Sequence, residues 1–250
     1  MGFRIIISPA KKMNVVEGPP WPATAPVFLE RTRELMRRVQ DLSYGEAKAL
    51  WKTSDKLTQL NYQRFADMDL GRDTTAAVIA YEGIQYQHLA PQVLDERGLA
   101  YLDEHLRILS GFYGVLRPGD GVVPYRLEMQ ARLAVGDARD LYEFWGDDLA
   151  REVARGCDAI ANLASVEYAK AVVPHAHELG VRVVTCLFGE LKGDKYVQRS
   201  TEAKAARGTF VRWCAENEVA DPRDFCRFSE RGYVLDEGRS TDDTLAFVRT

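Results

Sequence analysis

The 250-residue sequence contains few cysteines and no long apolar run. Its first apolar stretch ends at Ser8-Pro9, far short of the ~20 residues that a membrane-spanning helix needs. The four cysteines form no CxxC pair, so they are best interpreted as reduced thiols. We therefore expect a cytoplasmic protein with no membrane partner. The cysteines are Cys157, Cys186, Cys214 and Cys226.

The motifs of several large enzyme classes are also missing. The sequence has no GxGxxG, GxxxxGK[ST], GxSxG or HExxH pattern, which removes support for dinucleotide, P-loop, hydrolase and zincin functions. Lys and Arg total 33 against 37 Asp and Glu, a net charge of −4, which excludes a polybasic nucleic-acid tail. The apolar fraction of 46% is typical of a folded globular chain. No cofactor is predicted, and the His175-Ala176-His177 pair lacks the further ligands of a metal site.

Hydrophobic periodicity predicts an α+β protein with a mixed sheet, in one domain spanning residues 1–250. The proline-rich segment 17–26 predicts a stiff connector after the first strand. Ser43 and Glu46 form a capping box before the second helix. The pattern predicts strands just before Ser8 and over 76–81, 159–163 and 181–188. It predicts helices from Phe28, Ser43, Ser54, Asp140 and Ser165, and over 99–109 and 202–216.

Polar clusters stand where these predicted elements end, and loops in such positions commonly carry function. The clusters are Ser8–Lys12, Thr53–Lys56, Arg107–Tyr113 and Pro124–Glu128. Ser8–Lys12 directly follows the first strand, where open sheets form ligand crevices, and its two ammonium groups would suit phosphate. We predict that these clusters converge on one cleft.

Much of the chain resembles the YaaA peroxide-stress protein family. The longest match runs from His105 to Pro118 (HLRILSGFYGVLRP) and continues through Pro124–Met129 (PYRLEM). Shorter matches occur in the same order along nearly the whole chain. These include Ser8–Lys11, Ser54–Leu57, Leu141–Asp147, Asn162–Ser165, Glu167-Tyr168, Ala203-Lys204, Ala206–Gly208 and Gly232-Tyr233.

The resemblance implies a YaaA-like fold around a basic cleft, binding of duplex or branched DNA, and a protective role against peroxide. It also implies a helix-hairpin-helix element, which we place at Leu106–Leu116. Ser110, Gly111 and Gly114 would form its hairpin, where glycine lets backbone amides approach phosphate. The alternative is that the two glycines only terminate a helix.

Three positions depart from the family pattern in ways that bear on charge. Glu82 replaces a cation, Ala205 replaces a lysine, and Val166 replaces an acidic residue. Losing two cations weakens the DNA prediction, because non-specific affinity grows with the number of phosphates neutralised.

An enzyme acting on a small phosphorylated or nucleotide-like substrate is the alternative function. Glu128, Tyr113 and Tyr233 would then be the proton-transfer candidates. An extended Arg126-Leu127-Glu128 segment would put Arg126 and Glu128 on one face, as a catalytic or structural pair. For either function, the anion-binding candidates are Ser8, Lys11, Lys12, Lys56, Arg107, Ser110, Gly111, Gly114, Arg126, Lys204 and Arg207.

Overall fold

A mixed eight-stranded sheet forms the centre of the protein. The structure is a computed structural model that describes residues 2–16 and 24–249. Its strands are β1 Phe3–Ile7, β5 Leu106–Ser110, β6 Gly114–Leu116, β8 Ala159–Asn162, β9 Arg182–Lys192, β10 Lys195–Val197, β11 Tyr233–Leu235 and β12 Thr244–Arg249. They lie in the order β11-β12-β9-β8-β1-β5-β6, and β10 pairs with β9.

Five of these strands are parallel neighbours, and their connections diverge around β1. The chain leaves β1 for β5 on one side, whereas β8 lies on the other side of β1 and leads on to β9. Such a change of direction opens a crevice at the carboxyl ends of the strands, where open α/β sheets bind ligands. The crevice here lies between the ends of β1 and β8.

Helices and short strand pairs cover this sheet. The helices are α1 Leu29–Gln40, α2 Tyr44–Trp51, α3 Asp55–Ala66, α4 Ala77–Ala80, α5 Ile84–Leu89, α6 Glu96–His105, α7 Leu141–Trp145, α8 Asp148–Ala154, α9 Val166–Ala169, α10 Val173–Glu178 and α11 Ser200–Glu216. The small strand pairs are β2 Lys12–Met13 with β4 Tyr81–Glu82, and β3 Thr75–Ala76 with β7 Gly121–Val122.

The structure confirms the α+β class and most of the predicted elements. The helix predicted from Phe28 is present as α1, which buries Thr32, Leu35 and Val39 at helical spacing. The capping box of Ser43 and Glu46 is present at the start of α2. The predicted connector over 17–26 lies mostly outside the described residues.

Two predicted elements are wrong. The run over 76–81 contains a single helical turn between two short strands, because the Ala77 and Val78 amides donate to the carbonyls of Asp120 and Pro118. The helix predicted over 99–109 ends at His105, and β5 begins at Leu106. Leu99, Leu102, Leu106 and Leu109 fit helical spacing, but parallel pairing of Leu106–Ile108 with β1 overrides it.

The helix-hairpin-helix placement at Leu106–Leu116 is therefore wrong as well. The segment is an antiparallel β-hairpin, with Ile108 opposite Leu116 and Ser110 opposite Gly114. A buried apolar run cannot distinguish a strand from a helix by periodicity alone.

Candidate functional site

The loops that follow β1 and β8 are joined by hydrogen bonds at the crevice. The Ser165 amide donates to Ser8 Oγ at 2.8 Å, and Ser8 Oγ donates to Ser165 Oγ at 3.2 Å. From α5, the Tyr86 hydroxyl donates to the Ser8 carbonyl at 2.9 Å. These bonds fix the backbone from which Lys11 and Lys12 project.

An inner cavity of about 610 Å³ opens beside these loops. Strand ends, α5, α11 and the segment 125–128 form its walls. This volume lies within the range of roughly 300–1,000 Å³ that is common for small-molecule sites. The lining residues are Ser8–Lys12, Glu82–Tyr86, Tyr125–Glu128, Ser165, Glu167, Tyr168, Ser200, Lys204 and Arg207.

A second hollow, the outer groove, has a volume of about 970 Å³ and adjoins the inner cavity. The two share Lys11, Arg126 and Glu128. The outer groove runs between α2 and the loop after Met129. Its other lining residues are Arg38, Leu42, Glu46, Ala49–Lys52 and Gln130–Ala134.

Glu128 links two cations at the junction of the two hollows. Its Oε1 accepts from Arg126 Nη2 at 3.0 Å and lies 2.9 Å from Lys11 Nζ. The Arg126 side chain is only 14% exposed and that of Glu128 23%, whereas that of Lys11 is 68% exposed. Arg126 and Glu128 therefore meet as the alternating side-chain positions predict, at the edge of solvent.

The β5–β6 hairpin supports this segment from behind. A Cβ on Gly111 would lie 2.7 Å from the Leu127 carbonyl and 2.8 Å from Met129 N, so only glycine allows the approach. Ser110 Oγ accepts from the Phe112 and Tyr113 amides and lies 2.6 Å from the Tyr125 hydroxyl. Burial raises the pKa of Tyr125 to about 12, so it stays a neutral phenol at pH 7.

Close packing of α5 on α11 holds the opposite wall. A Cβ on Gly208 would lie 2.0 Å from the Gln85 carbonyl oxygen. Gln85, Lys204 and Arg207 project from these two helices into the cavity lining. Burial lowers the pKa of Arg207, which remains charged at neutral pH.

Three buried nitrogens of the inner cavity lining have no hydrogen-bond partner among the described residues. They are Nε2 of Gln85 and the Nε atoms of Arg126 and Arg207. An unsatisfied buried donor lowers the stability of the folded protein, so each such group calls for an explanation. One explanation is that a bound ligand accepts hydrogen bonds from these nitrogens.

Glu167 is another carboxyl of the inner cavity lining. Burial raises its pKa, and the neighbouring Glu128 carboxylate adds to that rise, although the Gln130 amide donates to its Oε1 at 3.2 Å. The inner cavity thus holds three carboxyl groups, Glu82, Glu128 and Glu167, and of these Glu82 and Glu128 are paired with cations.

The structure brings together part of the predicted site. Ser8, Lys11, Lys12, Arg126, Glu128, Lys204 and Arg207 line the inner cavity, whereas Ser110 and Gly111 support it from behind. Lys56, Arg107, Gly114, Tyr113 and Tyr233 line neither hollow.

The residues outside the two hollows have other surroundings. Arg107 donates to the carbonyls of Asp103 and Leu106, and burial lowers its pKa to about 10. Tyr113 is buried with its hydroxyl accepting from the Val123 amide. Tyr233 is buried among aromatic rings that include Phe188.

Sequence reasoning missed Gln85, Tyr86 and Arg132 as lining residues. Gln85 and Tyr86 follow the short helical turn that was predicted as part of a strand, and no local pattern marks them. Glu167 and Tyr168 did stand within a matched family motif, but they were given no role.

Charge is unevenly distributed between the hollows and the whole chain. Together the two linings contain eight cations and four carboxylates, whereas the chain carries −4 overall. The cations are Lys11, Lys12, Arg38, Lys52, Arg126, Arg132, Lys204 and Arg207. Within residues 2–16 and 24–249 there is no cluster of three metal-ligating side chains, and no helix has the length and apolarity to cross a membrane.

Comparison with known proteins identifies the family. The sequence model of peroxide stress protein YaaA matches residues 3–239. The chain belongs to the YaaA peroxide stress protein family. This confirms the resemblance seen in the sequence motifs.

Curated relatives of this YaaA-family chain carry the name UPF0246 protein. The one from Lachnoclostridium phytofermentans is 45% identical over 248 residues, covering 99% of this chain and 96% of the relative. Those from Pediococcus pentosaceus and Lactiplantibacillus plantarum are each 46% identical, covering 99% and 98% of this chain and 98% and 99% of the relative.

Proposed function

We propose that this YaaA-family protein binds DNA during peroxide stress, along the continuous surface formed by the outer groove and the mouth of the inner cavity. One observation carries the proposal: cations outnumber carboxylates two to one in these linings, on a chain with net negative charge. Because phosphate contacts supply most non-specific affinity for DNA, this surface is where a polyanion would bind.

The outer groove offers cations that are free to meet phosphate. Arg132 and Lys52 are exposed, and neither forms an ion pair with a described residue. Lys204 is likewise exposed and unpaired within the described part of the chain. By contrast, Lys12 Nζ lies 2.6 Å from Glu82 Oε1, so the departure at position 82 partly neutralises one cation.

Titration of a labelled duplex at two salt concentrations tests the proposal. The double variant Arg132→Ala/Lys52→Ala should bind more weakly and show a salt slope smaller by about one for each phosphate that is no longer neutralised. The control is Arg155→Ala/Arg182→Ala. Arg182 begins β9 and Arg155 precedes β8, so both lie at the amino-terminal edge of the sheet, away from the crevice.

Two results would contradict DNA binding on this surface. One is an equal loss of affinity in the groove variant and the control. The other is no binding of any duplex or branched DNA at low salt by the folded wild-type protein.

An enzyme that acts on a small phosphorylated or nucleotide-like substrate is the second candidate. The observation in its favour is that Glu128 and Glu167 lie in one cavity in different surroundings: Glu128 is paired with Arg126 and Lys11, whereas burial raises the pKa of Glu167. Carboxyls in different environments can divide the roles of acid and base.

Glu128→Gln separates the two functions. A protein that only binds DNA should keep or gain affinity when this negative charge is removed. An enzyme should still bind its substrate but lose turnover by about 10²–10⁴-fold, as measured on a panel of deoxynucleoside mono- and triphosphates.

A further inference from the structure

The inner cavity differs from the outer groove in being lined by tyrosine rings. Tyr86, Tyr125 and Tyr168 are each less than 8% exposed and belong to its lining. The hydroxyl of Tyr86 donates to the Ser8 carbonyl, and that of Tyr125 is bonded to Ser110 and Tyr81. Because these two hydroxyls are already paired, the small part of each ring that reaches the cavity is mainly apolar.

Polar groups lie around the same rings. Gln85 supplies an amide whose Nε2 has no partner among the described residues, and an amide can hydrogen-bond the polar edge of a base. Arg207 and Lys204 bring positive charge to the lining from α11. Aromatic surface, an amide and cations together match the three parts of a nucleotide better than they match phosphate alone.

The cavity is too small for a paired duplex, but its 610 Å³ is ample for one nucleotide. It meets the outer groove at Lys11, Arg126 and Glu128, the side chains that the two linings share. A strand lying in the groove would therefore pass its mouth. Proteins that act on a base within DNA accept it unstacked, in a pocket with stacking and edge contacts of this kind.

We propose that the inner cavity accepts one unstacked nucleotide of the DNA bound along the outer groove, its base against the tyrosines and its phosphate near Lys204 and Arg207. This inference rests on the proposed function. A free mononucleotide shares the same chemistry, so the experiment distinguishes the two sources.

The experiment measures fluorescence anisotropy with three labelled duplexes of one sequence: fully paired, with a central mismatch, and with a single-nucleotide bulge. Unstacking costs least in the bulge and most in the paired duplex. The wild-type protein should bind the bulged duplex at least about tenfold more tightly than the paired one, with the mismatch between them. Added dAMP should reduce that preference by competing for the inner cavity.

Two classes of variant sharpen the measurement. Ala10→Leu adds volume at a lining residue, and Tyr168→Leu removes one aromatic face, so each should bring the bulged-to-paired affinity ratio close to one. Arg132→Ala, in the outer groove, should weaken binding to all three duplexes by a similar factor and keep the ratio. Thermal unfolding shows whether each variant is folded. Because Ala10→Leu and Tyr168→Leu change the cavity in different ways, the same loss of preference in both is expected if the cavity holds the nucleotide.

Equal wild-type affinity for the three duplexes would overturn the inference while leaving DNA binding in place. The same holds if Ala10→Leu and Tyr168→Leu, both folded, keep the full preference for the bulge. If no duplex binds at all, the proposed function itself fails. Binding of dAMP without binding of any duplex would then favour the small-substrate enzyme.

Discussion

The inner cavity and the outer groove share three side chains, but they are formed by different kinds of contact. Contacts between secondary-structure elements form the inner cavity: the Ser8 hydroxyl joins the ends of β1 and β8 through Ser165, and α5 packs closely on α11 at Gly208. Exposed side chains on α2 and the loop after Met129 form the outer groove. The inner cavity should therefore respond to small changes in packing, and the outer groove to charge and salt.

Gly208→Ala should have the largest effect on stability, because it disrupts the packing of α5 on α11 beside the inner cavity. The added methyl group would lie 2.0 Å from the Gln85 carbonyl oxygen, so α5 must move away from α11. We expect a loss of about 1–3 kcal/mol, or more, in the free energy of unfolding, measured by chemical denaturation.

Gly45→Ala is the matched control for this prediction. Gly45 lies within α2, and a Cβ there would have no neighbour within 4 Å among residues 2–16 and 24–249. Alanine should leave the free energy of unfolding unchanged or raise it by up to ~1 kcal/mol. Equal effects of the two substitutions would show that the α5–α11 contact is not as tight as described.

Arg126→Ala should have the next largest effect, because Arg126 belongs to both hollows. Its side chain is mostly buried and lies 3.0 Å from Glu128, which keeps Lys11 as a second partner. Duplex affinity should fall by more than the ~1 kcal/mol typical of an exposed pair, roughly fivefold or greater. Duplex affinity unaltered from wild type, in a variant shown to be folded, would remove Arg126 from the interface.

Glu167→Gln should change the pH dependence of stability. Burial raises the pKa of Glu167 in the folded state. Its favourable contribution is therefore complete below the unfolded pKa near 4.3 and is lost as pH rises through the higher folded value. The wild-type protein should gain free energy of unfolding relative to the variant as the pH is lowered from 7 towards the unfolded pKa near 4.3, measured by urea denaturation. A difference that does not vary with pH would contradict this.

Glu82→Gln should have the smallest effect, confined to charge at the mouth of the inner cavity. It frees Lys12 from its 2.6 Å contact, and one additional free cation should raise duplex affinity about two- to threefold at low salt. The control is Asp243→Asn, which frees Arg182 at the opposite edge of the sheet. A gain of the same size in both variants would mean that only net charge matters.

Elements that depend on local sequence could be predicted, whereas those that depend on contacts between distant segments could not. Strands β1, β8 and β9, helix α11 and the capping box are specified by local patterns, and these place Ser8 directly after β1 and Lys204 within α11. The hairpin at Leu106–Leu116 could not be predicted, because Leu106, Leu109 and their neighbours fit two periodicities and only pairing with β1 decides between them.

The residues of the inner cavity that sequence missed share one physical cause. Gln85 enters the lining only because Gly208 lets α11 approach α5, a contact between positions that are far apart in the chain. The same holds for the outer groove. Arg132 could not be predicted as a lining residue, because it faces Lys52 and Arg38 only in the folded protein and no local sequence pattern indicates that they meet.

The most direct test of DNA binding on the groove is site-specific cross-linking. A photo-crosslinking amino acid is introduced at Arg132, in the outer groove, and in a matched sample at Arg155, at the amino-terminal edge of the sheet. Irradiation with a labelled duplex should give covalent protein–DNA product from position 132 and little from position 155. Equal yields, or a greater yield from position 155, would contradict the account.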